Sequence, residues 1–440
     1  TLPAPCSTER LHSMFAKLPL HEQLDAWLGA GAHMPLDIDA TGDVVVHGAV
    51  VTGHPCIVVA TDYSKQYGSI GADEAEQITE ALDVAVERGV PLVFLLNSGG
   101  MRVTEGMATI DALRRLLRNV LDAKLAGQRM FAVITRNAFG GTSALASLCE
   151  RRAMNAGAVL AMSGPKLIQH IAGRDALDAS DADAVRALIG GEARAAMTAS
   201  TQLCEDTAGD YHDVLSDWLD EPAPDSDDFI YDWAEELHER LGDRALRAPA
   251  PVPLASLEPE TMRLVRHLVG DDADVKRTGP VLFARPRKAG RPVVVGLIGG
   301  ADTTAPAALA LAALLLRIVN TPEPLRIVVL LDSESHSADP ADERVVLSEY
   351  LALLALATRY VHDEGHNIEV VVTGVTGGGI FAALAGGATQ VEMLRDARLQ
   401  VLSPEALAAI GKAADPDTDT LWDALDAGAV DAEFPDPLRG

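Results

Sequence analysis

The chain predicts an α/β protein built as two tandem copies of one strand–turn–helix unit, and three observations predict it. An apolar run at 90–96 reads as a short buried strand, and it ends in Ser98-Gly99-Gly100 before a helical apolar period over 110–123. The construction returns at 130–135, a strand leading through Phe139-Gly140-Gly141 into an Ala- and Leu-rich helix that runs to about Cys149. The whole pattern then recurs further along the chain at a nearly fixed separation. Ile57 finds its counterpart in Val293 (236 residues on), Leu95 in Leu330 (235), Ala126 in Glu364 (238), Phe139 in Gly377 (238) and Met162 in Leu402 (240). Five landmarks that hold their offset make duplication the economical reading.

Composition sets the frame. The 440 residues suffice for two or three domains, each with a full core. Hydrophobic residues make up 48% and aromatics only 4%, so Ala, Leu and Val must build the core, which suits helices packed closely on sheets. A net charge of −28 argues against nucleic acid or an anionic membrane as partner. Cys6, Cys56, Cys149 and Cys204 form no Cys-x-x-Cys pair, which excludes a zinc ribbon and leaves no metal site to expect. Residues 1–20 show no signal-peptide core, and the most apolar window, 305–316, is too short for a membrane span. The expectation is a soluble cytoplasmic protein.

In chain order, 11–28 reads as one or two lead-in helices and 43–60 as a hairpin punctuated by Gly48 and Gly53. The loop 61–71 contains Tyr63-Ser64-Lys65, whose spacing is wrong for a short-chain dehydrogenase, and a helix follows over 72–88. Residues 159–162 form a further strand, with Ser163 as N-cap of the next helix. Residues 178–200 read as helical, 208–228 as aperiodic, and 233–241 as a short helix. The acidic, proline-rich run 220–228 and the stretch 248–253 read as connectors. The domain reading is therefore 1–220, a linker over 221–289, and 290–440. In the second copy, strands at 326–331 and 368–373 deliver Ser333-Glu334-Ser335-His336 and Gly377-Gly378-Gly379.

Glycines at a strand-to-helix exit leave backbone N–H groups unobstructed beside a positive helix end, which suits an anion or a developing oxyanion. Gly99, Gly100, Gly140 and Gly141 are the expected donors in the first copy, and Gly377, Gly378 and Gly379 in the second. Ser98, Met101, Phe139, Ser335 and His336 flank them and are the expected substrate contacts. Ser335 and His336 are also the available proton donors, although a lone loop histidine is more often a surface residue. Arg102 and Glu105 read as an ion pair bracing the first turn, and Cys149 as helix core.

These residues resemble the crotonase superfamily, and within it the carboxyltransferase branch, whose two halves are tandem copies. Ser98-Gly99-Gly100-Met101-Arg102-Val103-Thr104-Glu105, Ser163-Gly164-Pro165, Asp178-Ala179-Ser180-Asp181 and Gly190-Gly191 are similar to the β subunit of biotin-independent malonate decarboxylase. Leu331-Asp332-Ser333 and Thr376-Gly377-Gly378-Gly379-Ile380-Phe381-Ala382 are similar to its γ subunit. The resemblance covers about 20–215 and 290–433 and departs from the family in placing both subunits in one chain. It implies decarboxylation of a malonyl thioester held on the CoA-derived prosthetic group of an acyl carrier protein, or on CoA, with no bound cofactor. It also implies an acyl-transferase subunit as partner and a homo-oligomer. Arg114, Arg115 and Arg118 on one helix are the basic residues offered for carrier docking. The alternatives are a biotin-dependent carboxyltransferase and a non-catalytic scaffold.

Overall fold

The computed structural model describes residues 14–223, 228–411 and 419–435, so Cys6 lies outside the described residues. In the first unit α1 (Leu20–Leu28) precedes β1 (His33–Pro35), β2 (Val44–Val51) and β3 (His54–Thr61). Then come α2 (Ala72–Arg88), β4 (Leu92–Leu95), α3 (Met107–Leu125), β5 (Met130–Ile134), β6 (Asn137–Phe139), α4 (Gly141–Leu148), β7 (Arg151–Asn155) and β8 (Val159–Ala161). The unit ends with α5 (Pro165–Ala172), α6 (Ala182–Ile189), α7 (Gly191–Met197), β9 (Thr201–Cys204) and α8 (Ala208–Asp220). Its seven-stranded sheet has the order β1-β2-β3-β4-β5-β7-β9, antiparallel through β3 and parallel beyond it, while β6 and β8 form a separate parallel pair.

The second unit holds α9 (Phe229–Leu241), β10 (Ala250–Pro251), α10 (Pro259–Val269), β11 (Asp274–Thr278), β12 (Val281–Arg285), β13 (Val293–Gly300) and α11 (Ala305–Val319). It continues with β14 (Arg326–Ser333), α12 (Pro340–Arg344), α13 (Leu347–Asp363), β15 (Asn367–Val372), β16 (Val375–Gly377) and α14 (Gly378–Gly387). Last come β17 (Gln390–Met393), β18 (Arg398–Gln400), α15 (Pro404–Ala409), α16 (Leu421–Asp426) and β19 (Ala432–Glu433). Its sheet order, β10-β11-β12-β13-β14-β15-β17-β19, repeats the first strand for strand from β13 onward, and β16 and β18 repeat the side pair. The α/β class and the duplication are both present.

Three expectations are corrected. Residues 221–289 are no linker, because β10, β11 and β12 extend the second sheet and α10 packs on β13. The 208–228 stretch contains α8, whose Tyr211, Leu215 and Trp218 are buried on the first sheet. The hairpin turns at Thr52-Gly53, and Gly48 sits inside β2.

The helices on one face of each sheet meet their copies. Leu113, Leu117 and Leu148 share a single apolar cluster with Leu351, Ala355 and Phe381, so the two units have one core. Small residues permit that closeness: a Cβ on Gly386 of α14 would lie 2.9 Å from Leu117 Cβ of α3. Charges are buried at the same junction. Glu349 of α13, 1% exposed, accepts hydrogen bonds from Arg152 of β7 and Arg240 of α9. Burial alone would raise the Glu349 pKa, but the two guanidinium groups outweigh it and hold the carboxyl below its ordinary value. Among the described residues no helix is long and apolar enough to cross a membrane.

Glu349→Ala would leave two guanidinium groups without their carboxylate at a dry junction. The expected loss is about 3–5 kcal/mol of unfolding free energy, read from urea denaturation.

Candidate active site

At the exit of β4 the chain spends its own polar groups to build the turn. Asn97, 2% exposed, accepts at Oδ1 from the Thr135 and Arg136 amides (3.0 and 2.8 Å) and locks the end of β4 to the end of β5. The Gly99 N–H donates to the Tyr67 carbonyl (2.9 Å) and the Gly100 N–H to Ser98 Oγ (3.0 Å). Gly100 has φ +109°, and its carbonyl accepts from the Ile70 amide (3.0 Å). Arg102 braces the turn as expected, paired with Glu105 (3.0 Å) and also with Glu74 (2.9 Å). Gly140 (φ +56°) precedes α4 and donates to the carbonyls of Ala161 and Met162 (3.2 and 3.1 Å).

This corrects the expected donor set. The amides of Gly99, Gly100 and Gly140 are committed to protein acceptors, because a tight strand-exit turn needs those bonds to hold its shape. The Met101 N–H has no acceptor among the described residues. Gly141 stands in the first turn of α4, where a helix leaves N–H groups without intrahelical partners. The two segments abut, since a Cβ on Gly141 would lie 3.1 Å from Met101 Cγ.

The second unit repeats the wiring. Thr303 donates to the Ser335 carbonyl (2.8 Å) and Ser337 to the Thr303 carbonyl (2.9 Å), as Ile70 and Arg102 do in the first. His336 therefore holds the register of Met101, while Gly378 (φ +58°) and Gly379 hold those of Gly140 and Gly141. The Gly379 amide donates to His336 Nδ1 at 3.1 Å, and Ser335 Oγ lies 3.5 Å from the same nitrogen. His336 is 6% exposed, which overturns the surface-histidine reading. Burial pushes its pKa down to about 4, against a hydrogen bond to the Met162 backbone that favours the charged ring. An acceptor at Nδ1 places the proton of the neutral ring on Nε2. The triple-glycine turn is thus served by an imidazole of its own, with Gly377 paired in the β16–β18 ladder.

Met162 joins the two turns. Its carbonyl receives Gly140, its Sδ accepts from Ser143 Oγ (3.2 Å), and a Cβ on Gly379 would lie 2.4 Å from its Cε. The space between the turns is filled by Met162, Leu113, Leu148 and Leu351, leaving a cavity of only about 10 Å³. Larger cavities lie beside the turns. One of about 630 Å³ opens at the strand ends, lined by Asp62, Tyr63, Asn97 and Arg136, and another of about 640 Å³ lies between Ile171 of α5 and Asp302, Ser337 and Arg344. Phe139 follows the Ser98–Ala138 bridge, and its ring lies 3.9 Å from where a Cβ on Gly164 would stand. In the sequence Met162 stands out only as a strand end and a repeat landmark, and its side chain carries no signal of this role.

Two further expectations change. Arg114 is 5% exposed and binds the Gly428 and Ala429 carbonyls and Asp431, while Arg118 donates to the Ala388 carbonyl. Both tie the units together rather than face a carrier, and of the three only Arg115 is exposed, paired with Asp111. The N-cap of α5 is Gly164, not Ser163, whose buried Oγ has no hydrogen-bond partner among the described residues.

The His336 pKa lies below its ordinary value, so its contribution to stability is fully present above pH 6.5 and is lost as pH falls towards about 4. His336→Met, which installs the first unit's residue at that register, should remove part of the acid-dependent loss. Paired thermal melts of both proteins between pH 6.5 and 4 check it, and parallel curves would contradict it.

Residues 34–205 match the family model of the carboxyl transferase domain. The fused acetyl-coenzyme A carboxylase carboxyl transferase subunits beta/alpha of Salinispora arenicola are 30% identical over 136 residues, 31% of this chain and 24% of that protein. The corresponding subunit beta of Brucella ovis is 32% identical over 129 residues, 29% of this chain and 44% of that protein. The chain thus spans less than half the length of these relatives. Among solved structures, a Pseudomonas malonate decarboxylase hetero-tetramer in complex with malonate aligns over 50% of this chain and 88% of its own, with 26% identity and a TM-score of 0.45. The transcarboxylase 12S core aligns over 97% and 88%, with 19% identity and a TM-score of 0.41. The matched residues 34–205, from β1 into the loop after β9, include both glycine turns of the first unit.

Proposed function

We propose that the chain decarboxylates a malonyl thioester, converting malonyl-S-acyl carrier protein into acetyl-S-acyl carrier protein and CO2. The observation that carries this reading is the meeting of the Met101 and Gly141 segments at the head of α4. Two amides at that corner suit a thioester oxygen whose negative charge grows as the bond to the carboxylate breaks. The electrons of that bond become the enolate, CO2 departs, and a proton delivered to the α-carbon completes the acetyl group. One preorganised donor contributes about 3 kcal/mol to such a step, roughly a hundredfold or more in rate. Apolar walls at Leu113 and Leu148 favour loss of a charged carboxylate over its hydration. The acyl group rides on a CoA-derived prosthetic arm, and the carrier protein, an acyl-transferase subunit and a second copy of the chain are the proposed partners.

A second reading is carboxyl transfer between an acyl thioester and a biotinylated partner. It is favoured by the carboxyl transferase domain match and by relatives that are acetyl-coenzyme A carboxylase subunits. The same enolate corner would serve it, with biotin as the second substrate.

Purified protein given malonyl-CoA or malonyl-carrier protein, without biotin, is expected to release CO2. Gly100→Ala forces a side chain onto φ +109°, with its Cβ 3.2 Å from the Phe139 carbonyl. It should lower kcat/KM by about a hundredfold with the circular dichroism unchanged. Label that moves only to free biotin or a biotinylated protein would replace decarboxylation by carboxyl transfer.

A further inference from the structure

Glu343 lies on α12 in the second unit, is 0% exposed, and is used by no step described above. Its Oε1 accepts the Ser163 amide at 2.7 Å and its Oε2 the Met162 amide at 3.3 Å, both from the first unit. Those two residues lead from β8 into α5, and the Met162 carbonyl in turn holds the Gly140 amide that sets the entry to α4. Arg194 of α7, also 0% exposed, fastens the same corner through the Glu343 carbonyl (2.7 Å) and the Leu160 carbonyl (2.9 Å).

We infer that Glu343 is a positioning residue, which fixes the Gly140–Gly141 turn of the first unit from across the junction by clamping the amides of Met162 and Ser163. The consequence for activity rests on the proposed decarboxylase reading, while the clamp itself does not.

Charged neighbours are few and identifiable. Arg194 has its guanidinium 3.8 Å from Glu343 Oε2, and Asp342 on the same helix is paired with Arg244. Glu349 of α13 is taken by Arg152 and Arg240. On α6, Arg186 and Asp183 pair with each other at an exposed face, and on α5 Lys166 is exposed. Burial dominates over Arg194 and the two amides and raises the Glu343 pKa to about 7. A carboxyl raised in the closed junction and ordinary in an opened one makes opening easier as pH rises from 4.5 to about 7. Burial therefore favours the neutral carboxyl in the closed junction, although only the ionised form accepts from both amides; glutamine removes the titration and keeps one acceptor oxygen.

Hydrogen exchange of peptides covering 137–143 and 159–165, in the full chain, tests the clamp without reference to catalysis. Glu343→Ala should exchange about tenfold faster in both peptides, the effect expected of losing these bonds. Glu343→Gln, which keeps an acceptor for the Ser163 amide but not for the Met162 amide, should retain part of the protection. His336 at the same corner favours closure as pH rises in both proteins, so the Glu343 contribution is read as the difference: between pH 4.5 and 7 wild-type protection, corrected for intrinsic chemistry, should fall relative to that of Glu343→Gln. Unchanged exchange in Glu343→Ala, or the same pH slope in wild type and Glu343→Gln, overturns the proposal. Should Glu343→Ala fail to fold, the pH comparison of wild type with Glu343→Gln decides alone. In turnover assays the alanine variant should lose kcat at least tenfold and the glutamine variant should recover part of that loss. No turnover by wild type would refute the decarboxylase reading and leave the exchange result standing.

Discussion

Each sheet carries on one face a layer of helices that is apolar on two sides, and the need to bury the outer side governs the architecture. A helix such as α14, made almost wholly of Gly, Ala, Leu and Ile, has no polar face to give to water. The copy of the same unit offers the matching surface, so duplication supplies both the problem and its solution. Packing α3 and α4 against α13 and α14 brings the heads of α4 and α14 together, because both helices begin where their strands end. The meeting of the two glycine turns therefore follows from core burial.

Within that frame the copies have diverged in how they satisfy the same backbone. Gly141 and Gly379 are equivalent, yet Gly141 is covered by the Met101 side chain and Gly379 donates to the His336 ring. A methionine offers that amide no strong acceptor, whereas an imidazole nitrogen does. Among the described residues the first unit's helix-head amide has no side-chain acceptor, and the second unit's has the His336 ring. Under the proposed decarboxylase reading, this asymmetry supports an enolate at the first unit, with the second as wall and brace.

Much of the fold was legible because strand runs, helix periods and turns were all local signals. The bounds of α2 were read to the residue, and the repeat offsets predicted which strands would be equivalent. Residues 250–285 were missed because β10 to β12 are short, carry Pro, Asp, Lys and Arg, and become strands only by pairing with β13. At the site, glycine positions were legible but the fate of their amides was not, since residue type does not say which carbonyl a backbone N–H will meet. Arg114 and Arg118 looked like a basic surface for the same reason. A helix pattern shows which side chains share a face, but it cannot show that the chain 270 to 317 residues later will cover that face with carbonyls and Asp431.

The junction also explains why its titratable groups shift in opposite directions. His336 and Glu343 both reach Met162, one through its carbonyl and the other through its amide. Burial lowers the first to about 4 and raises the second to about 7, so between these values both are uncharged. Below that window the ring gains a proton that the dry junction resists, and above it the carboxyl loses one at the same kind of cost. A seam that penalises either charge is also one in which a malonyl carboxylate would be poorly solvated. Unlike the paired Glu349, an unpaired malonyl carboxylate at such a place would be poorly solvated and favoured to leave as CO2. On this argument the buried helix layers, the two shifted groups and the proposed loss of CO2 share one cause, the exclusion of water where the copies meet.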